Sequence, residues 1–384
     1  MAVAETADHT TYSREDYEDF ARTGPGTLAG RYLRSFWQPV AIAADLPSGH
    51  ARPIRIMSED FTLYRGEDGT PHVVAYRCAH RGTQLSTGWV EGDCIRCFYH
   101  GWRYDGAGQC VEMPAEDPSF PPKVKIKSYP TEEYLGLVFA YLGEREPPPL
   151  PRYPDFEAEG VRENSTYLRA CNYFQNIENA LDPVHTAFVH RDSGTNFEGL
   201  VGVPRMAGEE SPWGIEMRGT RPNGKVRVNQ FGMPNVLHLA LRFGGVWGDT
   251  LAWRVPIDDE QHRSFSVHFA PLTGEAAEQY RARRAAAPRS DEAAIAAIAE
   301  AILRGERRVQ DIPEDDPDLV NVQDYVAQVG QGRLVNRAED RLGRSDVLVI
   351  LLRRMWAREL QALAEGRPGT AWNRPPGLVA TSGA

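Results

Sequence analysis

Cys78-Ala79-His80-Arg81-Gly82 and, after sixteen intervening residues from His80, Cys97-Phe98-Tyr99-His100-Gly101-Trp102 decide how this chain is read. Each stretch offers one thiolate and one imidazole, and each carries a glycine that lets the backbone turn tightly beside a bound centre. Four soft or borderline ligands therefore converge. A Cys2His2 set can hold zinc, and Cys94-Ile95-Arg96-Cys97 has the form of a redox Cys-x-x-Cys. Zinc fingers, however, place their His pair on a helix, whereas here each His is paired with a Cys on a Gly-bearing loop between strands. That spacing favours a [2Fe-2S] cluster with two Cys on one iron and two His on the other. The Cys-x-x-Cys lacks a βαβ context, so Cys94 is expected to be a small buried residue.

Outward from the motifs, Ile54-Arg55-Ile56, Phe61-Thr62-Leu63-Tyr64 and Val73-Val74-Ala75-Tyr76 read as short antiparallel strands, with Gly66-Glu67-Asp68-Gly69 as a turn. An apolar run at 137–142 extends the pattern, giving an all-β domain over 36–146 preceded by a segment, 1–35, that packs on the core. Pro147, Pro148, Pro149, Pro151 and Pro154 stiffen the chain against regular structure, so 147–156 is expected to be a linker. The remainder, 157–384, reads as α+β. Helical composition spans 172–190, strands are expected at 225–230, 236–243, 251–255 and 264–269, and a helix over 291–304 shows Ile295, Ile298 and Ile302 on one face. A last helix should start at a Ser345 N-cap and run toward a Gly366 stop.

The second dense cluster is Glu178-Asn179-Ala180-Leu181-Asp182-Pro183-Val184-His185, followed by His190. Two His and one carboxylate form the facial-triad ligand set of non-haem Fe(II) oxygenases. On a straight helix Asp182 and His185 would lie roughly 60° apart, but His185 and His190 roughly 140°. A local irregularity is therefore expected, with Pro183 removing a backbone donor or a π-type turn absorbing the spacing. Candidates for a carboxylate ligand include Asp311, Asp315, Asp316, Asp318 and Asp324.

Composition narrows the function classes. The 384 residues carry 43 Lys plus Arg against 53 Asp plus Glu, a net charge of -10 that argues against nucleic acid or an anionic membrane as the main partner. The apolar run from Val347 to Leu352 stops at Arg353 and Arg354, far short of the roughly 20 residues that span a bilayer. With Glu5, Asp8, Glu15 and Asp16 near the start and no basic region before an apolar stretch, a cytoplasmic location is expected. Five cysteines, an odd count, do not make a disulfide framework.

Cys-x-His-Arg-Gly with Cys-x-x-His-Gly-Trp resembles the Rieske domain of ring-hydroxylating oxygenases. Position 83 is Thr83, where the respiratory Rieske proteins have a disulfide-forming cysteine, so the resemblance is to the oxygenase branch. Asp182-x-x-His185-x-x-x-x-His190 is similar to the iron-binding segment of the same oxygenases. Gln323-Asp324, Val329-Gly330, Asn336-Arg337, Leu342-Gly343, Ser345-Asp346 and Pro256-Ile257-Asp258-Asp259 resemble the phthalate-dioxygenase-like branch, and the likeness spans roughly 35–365.

The resemblance implies a Rieske [2Fe-2S] cluster on Cys78, His80, Cys97 and His100, and a mononuclear Fe(II) on His185, His190 and Asp324. It implies that Asp182 links an iron His to a cluster His across a subunit boundary, and that the second half is a helix-grip-like domain with an antiparallel sheet. It further implies a terminal oxygenase α subunit, assembled as a homotrimer or hexamer. Electrons would come from NADH or NADPH through a separate reductase, possibly with a ferredoxin, since no Gly-rich dinucleotide fingerprint is found here. The substrate would be a small aromatic molecule, a carboxylate or an aryl ether, that is hydroxylated, dihydroxylated or O-demethylated with O2. Arg205, Arg218, Arg227, Arg242 and Arg254 are candidates for pairing with a carboxylate, each with a structural role as the default. Phe231, Phe243 and Trp247 are candidates for lining an apolar pocket, with core packing as the default. Two competing readings are a ligand-binding α+β protein with a structural zinc ribbon, and an electron carrier whose second half has lost catalysis.

Overall fold

The structure, a computed structural model, describes residues 13–193, 202–243, 245–287 and 290–378. The first half is built of eleven short strands among the described residues. They are β1 (Trp37–Ile42), β2 (Ala51–Ile56), β3 (Glu59–Arg65), β4 (Pro71–Ala75), β5 (Trp89–Glu91), β6 (Cys94–Arg96), β7 (Arg103–Tyr104), β8 (Cys110–Glu112), β9 (Ser128–Tyr129), β10 (Thr131–Tyr134) and β11 (Leu137–Tyr141). They form three antiparallel sheets with orders β1-β11-β10, β2-β3-β4-β9 and β5-β6-β7-β8. The predicted hairpin turn at 66–69 joins β3 to β4, with Gly69 at φ +92, a conformation that favours glycine.

The second half is one seven-stranded antiparallel sheet of β12 (Val161–Arg169), β13 (Arg205–Glu210), β14 (Gly214–Thr220), β15 (Val226–Gly232), β16 (Val236–Phe243), β17 (Val246–Pro256) and β18 (His262–Ala270). Its order is β12-β18-β17-β16-β15-β14-β13. The helices are α1 (Arg14–Glu18), α2 (Leu28–Arg34), α3 (Pro154–Glu157), α4 (Tyr173–Ala180), α5 (Gly274–Ala286), α6 (Glu292–Leu303), α7 (Leu319–Val329) and α8 (Val347–Ala364). None among the described residues is long and apolar enough to cross a membrane. The α+β class is as expected.

Several expectations are corrected. The expected helix over 172–190 is only α4: the chain leaves it at Leu181, turns through Asp182 and Pro183, and makes a 3-10 turn at His185–Ala187. Pro183 has no N–H to donate and disfavours a helical residue before it. Strands β12, β13 and β14 were not legible; Arg162-Glu163-Asn164-Ser165 and Glu209-Glu210 are polar, β12 is buried only at Val161 and Arg169, and no residue of β13 is buried. Pro154 starts the short α3 instead of blocking regular structure, since proline is tolerated in a first turn. Ser345 lies in a 3-10 turn, and the N-cap of α8 is Asp346. Trp247 is exposed rather than core, Phe231 is buried, and the Phe243 side chain is outside what the structure describes.

The register gives the large sheet two faces of different chemistry. Leu251, Trp253, Phe265 and Val267 pair within one face and enter the main core, where Trp253 meets Phe139 edge-on at 5.5 Å between ring centroids. This core also holds Leu33, Trp37 and Leu63, so both halves of the chain share it. Arg254, Ser264, His262 and Arg169 occupy the opposite face, toward α4 and α7. There the Asn176 amide donates to Tyr167 Oη at 3.0 Å and to His262 Nε2 at 2.8 Å, while its oxygen accepts from Arg254 Nε at 2.9 Å.

Burial first, and then the charges of Arg254 and Arg169, push the His262 imidazole down to about 3. The folded ring stays neutral while the unfolded chain gains a proton below about pH 6.5. The stability that His262 contributes is therefore complete above that pH and is lost as pH falls toward about 3. Urea-midpoint series should show His262→Gln falling less steeply with acid than wild type, by at most about 1.4 kcal/mol per pH unit. An unchanged slope would contradict a buried neutral ring.

Candidate metal centres

The Cys78 and Cys97 loops repeat one another. Gly82 N–H donates to Cys78 carbonyl at 3.0 Å, and Gly101 N–H to Cys97 carbonyl at 3.1 Å. Both glycines have positive φ, +77 and +74, which is why this residue type closes each loop. Both thiols are buried over a small core of Tyr64, Leu85, Ile95 and Tyr104. The imidazoles lie toward solvent: His80 is half-buried, His100 is exposed, and their ring centroids are 4.5 Å apart.

His80 stacks flat on Trp102 at 4.5 Å, and its Nδ1 is enclosed without a hydrogen-bond partner. Tyr104 Oη accepts the Ala79 N–H at 3.2 Å, which leaves its proton for Cys78 Sγ, also at 3.2 Å. Burial, with Cys78 alongside, pushes the Cys97 thiol up. Two buried sulfurs, together with an imidazole nitrogen that has no partner, suit a group ligated at those atoms. Cys94, expected to be buried, is half-buried on β6, where burial raises its thiol pKa.

The second centre depends on the break after α4. Asn172 caps that helix through the Phe174 N–H at 3.1 Å. Past its end the Asp182 carboxylate accepts the Val184 N–H at 3.0 Å, and the Asp182 carbonyl accepts from His185 Nδ1. Across the site, α7 presents Gln323 and Asp324. Gln323 Oε1 accepts from His190 Nδ1 at 2.9 Å and from the Ser193 hydroxyl at 2.8 Å. Both imidazoles therefore turn Nε2 toward Asp324, whose Oδ1 is 3.9 Å from that of His185 and 3.3 Å from that of His190. Ligand atoms of these three residues all lie within 4.8 Å of one another.

Asp324 Oδ1 is buried and has no hydrogen-bond partner. Burial works to raise the Asp324 carboxyl, but His190, His185 and Arg169 outweigh it and hold it below the usual carboxylate range. Burial likewise opposes protonation of His190, yet Asp324 prevails and lifts it. Two neutral imidazole nitrogens and a carboxylate oxygen make a donor set for a divalent cation of borderline softness. Asp311 is exposed and paired with Arg308, Asp315 is exposed, Asp318 accepts from Ser290, and Asp316 accepts the Asp318 N–H. Asp182 stays half-buried and outside the cluster, its carboxyl raised by burial. The positioning residues Gln323, Ser193 and Tyr104 were not identified from sequence. Only Gln323 carried a signal, as the immediate neighbour of Asp324.

Residues 36–130 match the Rieske [2Fe-2S] domain family. The oxygenase subunit of 5,5'-dehydrodivanillate O-demethylase from Sphingobium sp. is 32% identical over 95% of this chain and 84% of its own. Phenoxybenzoate dioxygenase subunit alpha from Ectopseudomonas oleovorans is 31% identical over 92% and 87%. The solved terminal oxygenase of carbazole 1,9a-dioxygenase from Novosphingobium sp. KA1 shares the fold, with a TM-score of 0.66 at 20% identity over 94% of this chain and 97% of that one. The iron-sulfur reading of the first motif pair thus prevails over structural zinc.

Two substitutions test the supporting residues. Gln323→Leu leaves the His190 N–H without its acceptor, so metal affinity should drop about 10- to 100-fold in a chelator competition. Tyr104→Phe removes a donor to sulfur, and film voltammetry should find the cluster potential lower by on the order of tens of millivolts with iron content unchanged.

Proposed function

The chain belongs to the family of Rieske non-haem iron oxygenase subunits, and from that membership we propose that it oxidises an aromatic carboxylate or aryl ether with O2 at a ferrous ion held by His185, His190 and Asp324. The observation that carries the proposal is the enclosed Asp324 Oδ1 facing two imidazole Nε2 atoms, 3.3 Å from that of His190 and 3.9 Å from that of His185. Two centres of this kind would supply one-electron storage and dioxygen activation. Cys78, His80, Cys97 and His100 hold the first, in a domain over 36–146, and the iron domain covers 157–384 beyond a linker at 147–156.

The chain's own residues set the conditions. Neutral imidazoles in place of two thiolates keep a cluster less negative, placing its potential in a range of roughly -150 to +300 mV. The exposed His100 edge gives electrons a way in or out, while the cysteines remain enclosed. Exposed Trp89, Phe98 and Tyr99 border these loops and suit a covering protein surface. We assign that surface to a neighbouring subunit of a homotrimer or hexamer and to an electron donor, a reductase with or without ferredoxin. Structures titled as oxygenase and ferredoxin complexes of carbazole 1,9a-dioxygenase support this arrangement. Asp182, outside the ligand cluster and beside His185, would accept a hydrogen bond from a cluster His of that neighbour and so orient both rings. The names of the two relatives, a divanillate demethylase and a phenoxybenzoate dioxygenase, support an aromatic acid carrying an ether.

Turnover of a panel of methoxy- and phenoxybenzoates under 18O2, with a reductase and NADH, should place labelled oxygen in a product. Iron and sulfide analysis should find both centres filled. In Asp182→Ala both should remain while coupled turnover falls roughly 100-fold or more; unchanged turnover would remove the bridging role.

A further inference from the structure

We propose that Arg227, with Arg221 and Asn229, forms a subsite for the carboxylate of the aromatic substrate, beside the turn that carries His185. The inference rests on the oxygenase reading and adds the group by which the substrate is held.

The five candidate arginines separate by their partners. Arg205 is exposed, and Arg218 pairs with Glu216. Exposed Arg242 donates to the Gly245 carbonyl at 3.1 Å, and Arg254 is committed to Asn176 and Ser264. Arg227 differs. It is partly buried, its Nη2 donates to the Ala240 carbonyl, its Nε is enclosed with no hydrogen-bond partner, and no carboxylate among the described residues pairs with it.

Arg221, which sequence reasoning did not single out, is buried at 6% exposure. It donates to the Gly202 carbonyl and, at 2.9 Å, to the Thr186 hydroxyl, again with no acid paired to it among the described residues. Thr186 directly follows His185, so this guanidinium ties the sheet to the iron-binding turn.

Strand periodicity sets the direction. Arg227, Asn229 and Phe231 alternate onto one face of β15. Phe231 lies opposite Leu237, Leu237 opposite Ala252, and Arg254 two residues further along, so this is the face that α4 covers through Asn176. The residue opposite Arg227 on β14 is Gly219, which brings no side chain of its own, although the Met206 side chain of β13 and Pro204 pack over it. Asn229 is 8% exposed, with its side-chain oxygen enclosed and unpartnered.

Burying one cation without an anion is costly, and placing a second beside it adds repulsion. Burial and then Arg221 pull the Arg227 guanidinium down to about 10, so it is still charged at neutral pH. A carboxylate brought by the substrate would supply the missing charge and accept from the guanidinium, and the Asn229 amide could donate to it or accept from a ring hydroxyl. Leu237 and Phe231 on the same face are buried, so the main core reaches up to this position.

The test is calorimetric binding to the oxidised holoenzyme, using 3-phenoxybenzoate and 4-hydroxy-3-methoxybenzoate, each against its carboxamide, with 3-phenoxybenzenesulfonate separating a carboxylate site from a general oxyanion site. Wild type should hold an acid at least about tenfold more tightly than its amide. Arg227→Met should weaken the acid about 10- to 100-fold and leave the amide unchanged, and Arg227→Lys should recover part of the loss. The proposal is overturned if wild type prefers no acid over its amide, if it prefers the sulfonate to the carboxylate, or if Arg227→Met weakens acid and amide alike. Should Arg227→Met fail to fold, Arg227→Lys and Asn229→Ala decide: an undiminished acid preference in both overturns it. Iron and sulfide contents of the same preparations report separately on the oxygenase reading.

Discussion

Pro183 ends a helix that, left to continue, would carry His185 and His190 to different sides of its axis. Without a backbone N–H at that position the chain turns, the Asp182 carboxylate takes up the Val184 N–H, and the next residues wind as a 3-10 turn. Both imidazoles then reach the same carboxylate oxygen of α7. Everything around the second centre serves that turn. Gln323 and the Asp182 carbonyl hold the outer nitrogens, and Arg221 grips Thr186 from the sheet. Glu178 on α4 is in turn paired with Arg337 and with Arg353 of α8.

The first centre solves a different problem by similar means. Its sulfurs need enclosure and its imidazoles need access, and two copies of one glycine-closed loop provide both, with cysteines over a small apolar core and rings toward the surface. Tyr104 and Trp102 come from the short strand and loop beneath, and fix a sulfur and a ring respectively.

What could be read from the sequence was chemistry that depends on spacing. The Cys and His pairs, the proline within the Asp182 to His190 segment, and the carboxylate after Gln323 announce themselves because their residue types are scarce and their intervals short. The strands that complete the sheet do not. β12 is polar along most of its length because one of its faces contributes Ser165, Tyr167 and Arg169 to a buried hydrogen-bonded layer instead of to an apolar core. Residues such as Gln323, Ser193 and Arg221 act at positions 133, 130 and 35 residues away from their partners. No local pattern can record such a pairing, and only the folded chain brings it about.

The apolar interior shared by Trp37, Phe139, Trp253 and Trp356 belongs to neither half alone. Cutting the chain at its run of prolines would strip β11 and β17 of each other and leave large aromatic surfaces wet. The iron-sulfur portion is therefore not a cassette that evolution could lift out and reuse unchanged. Only what lies off both that shared seam and the polar layer under α4, the exposed loops above all, can change without disturbing one centre or the other.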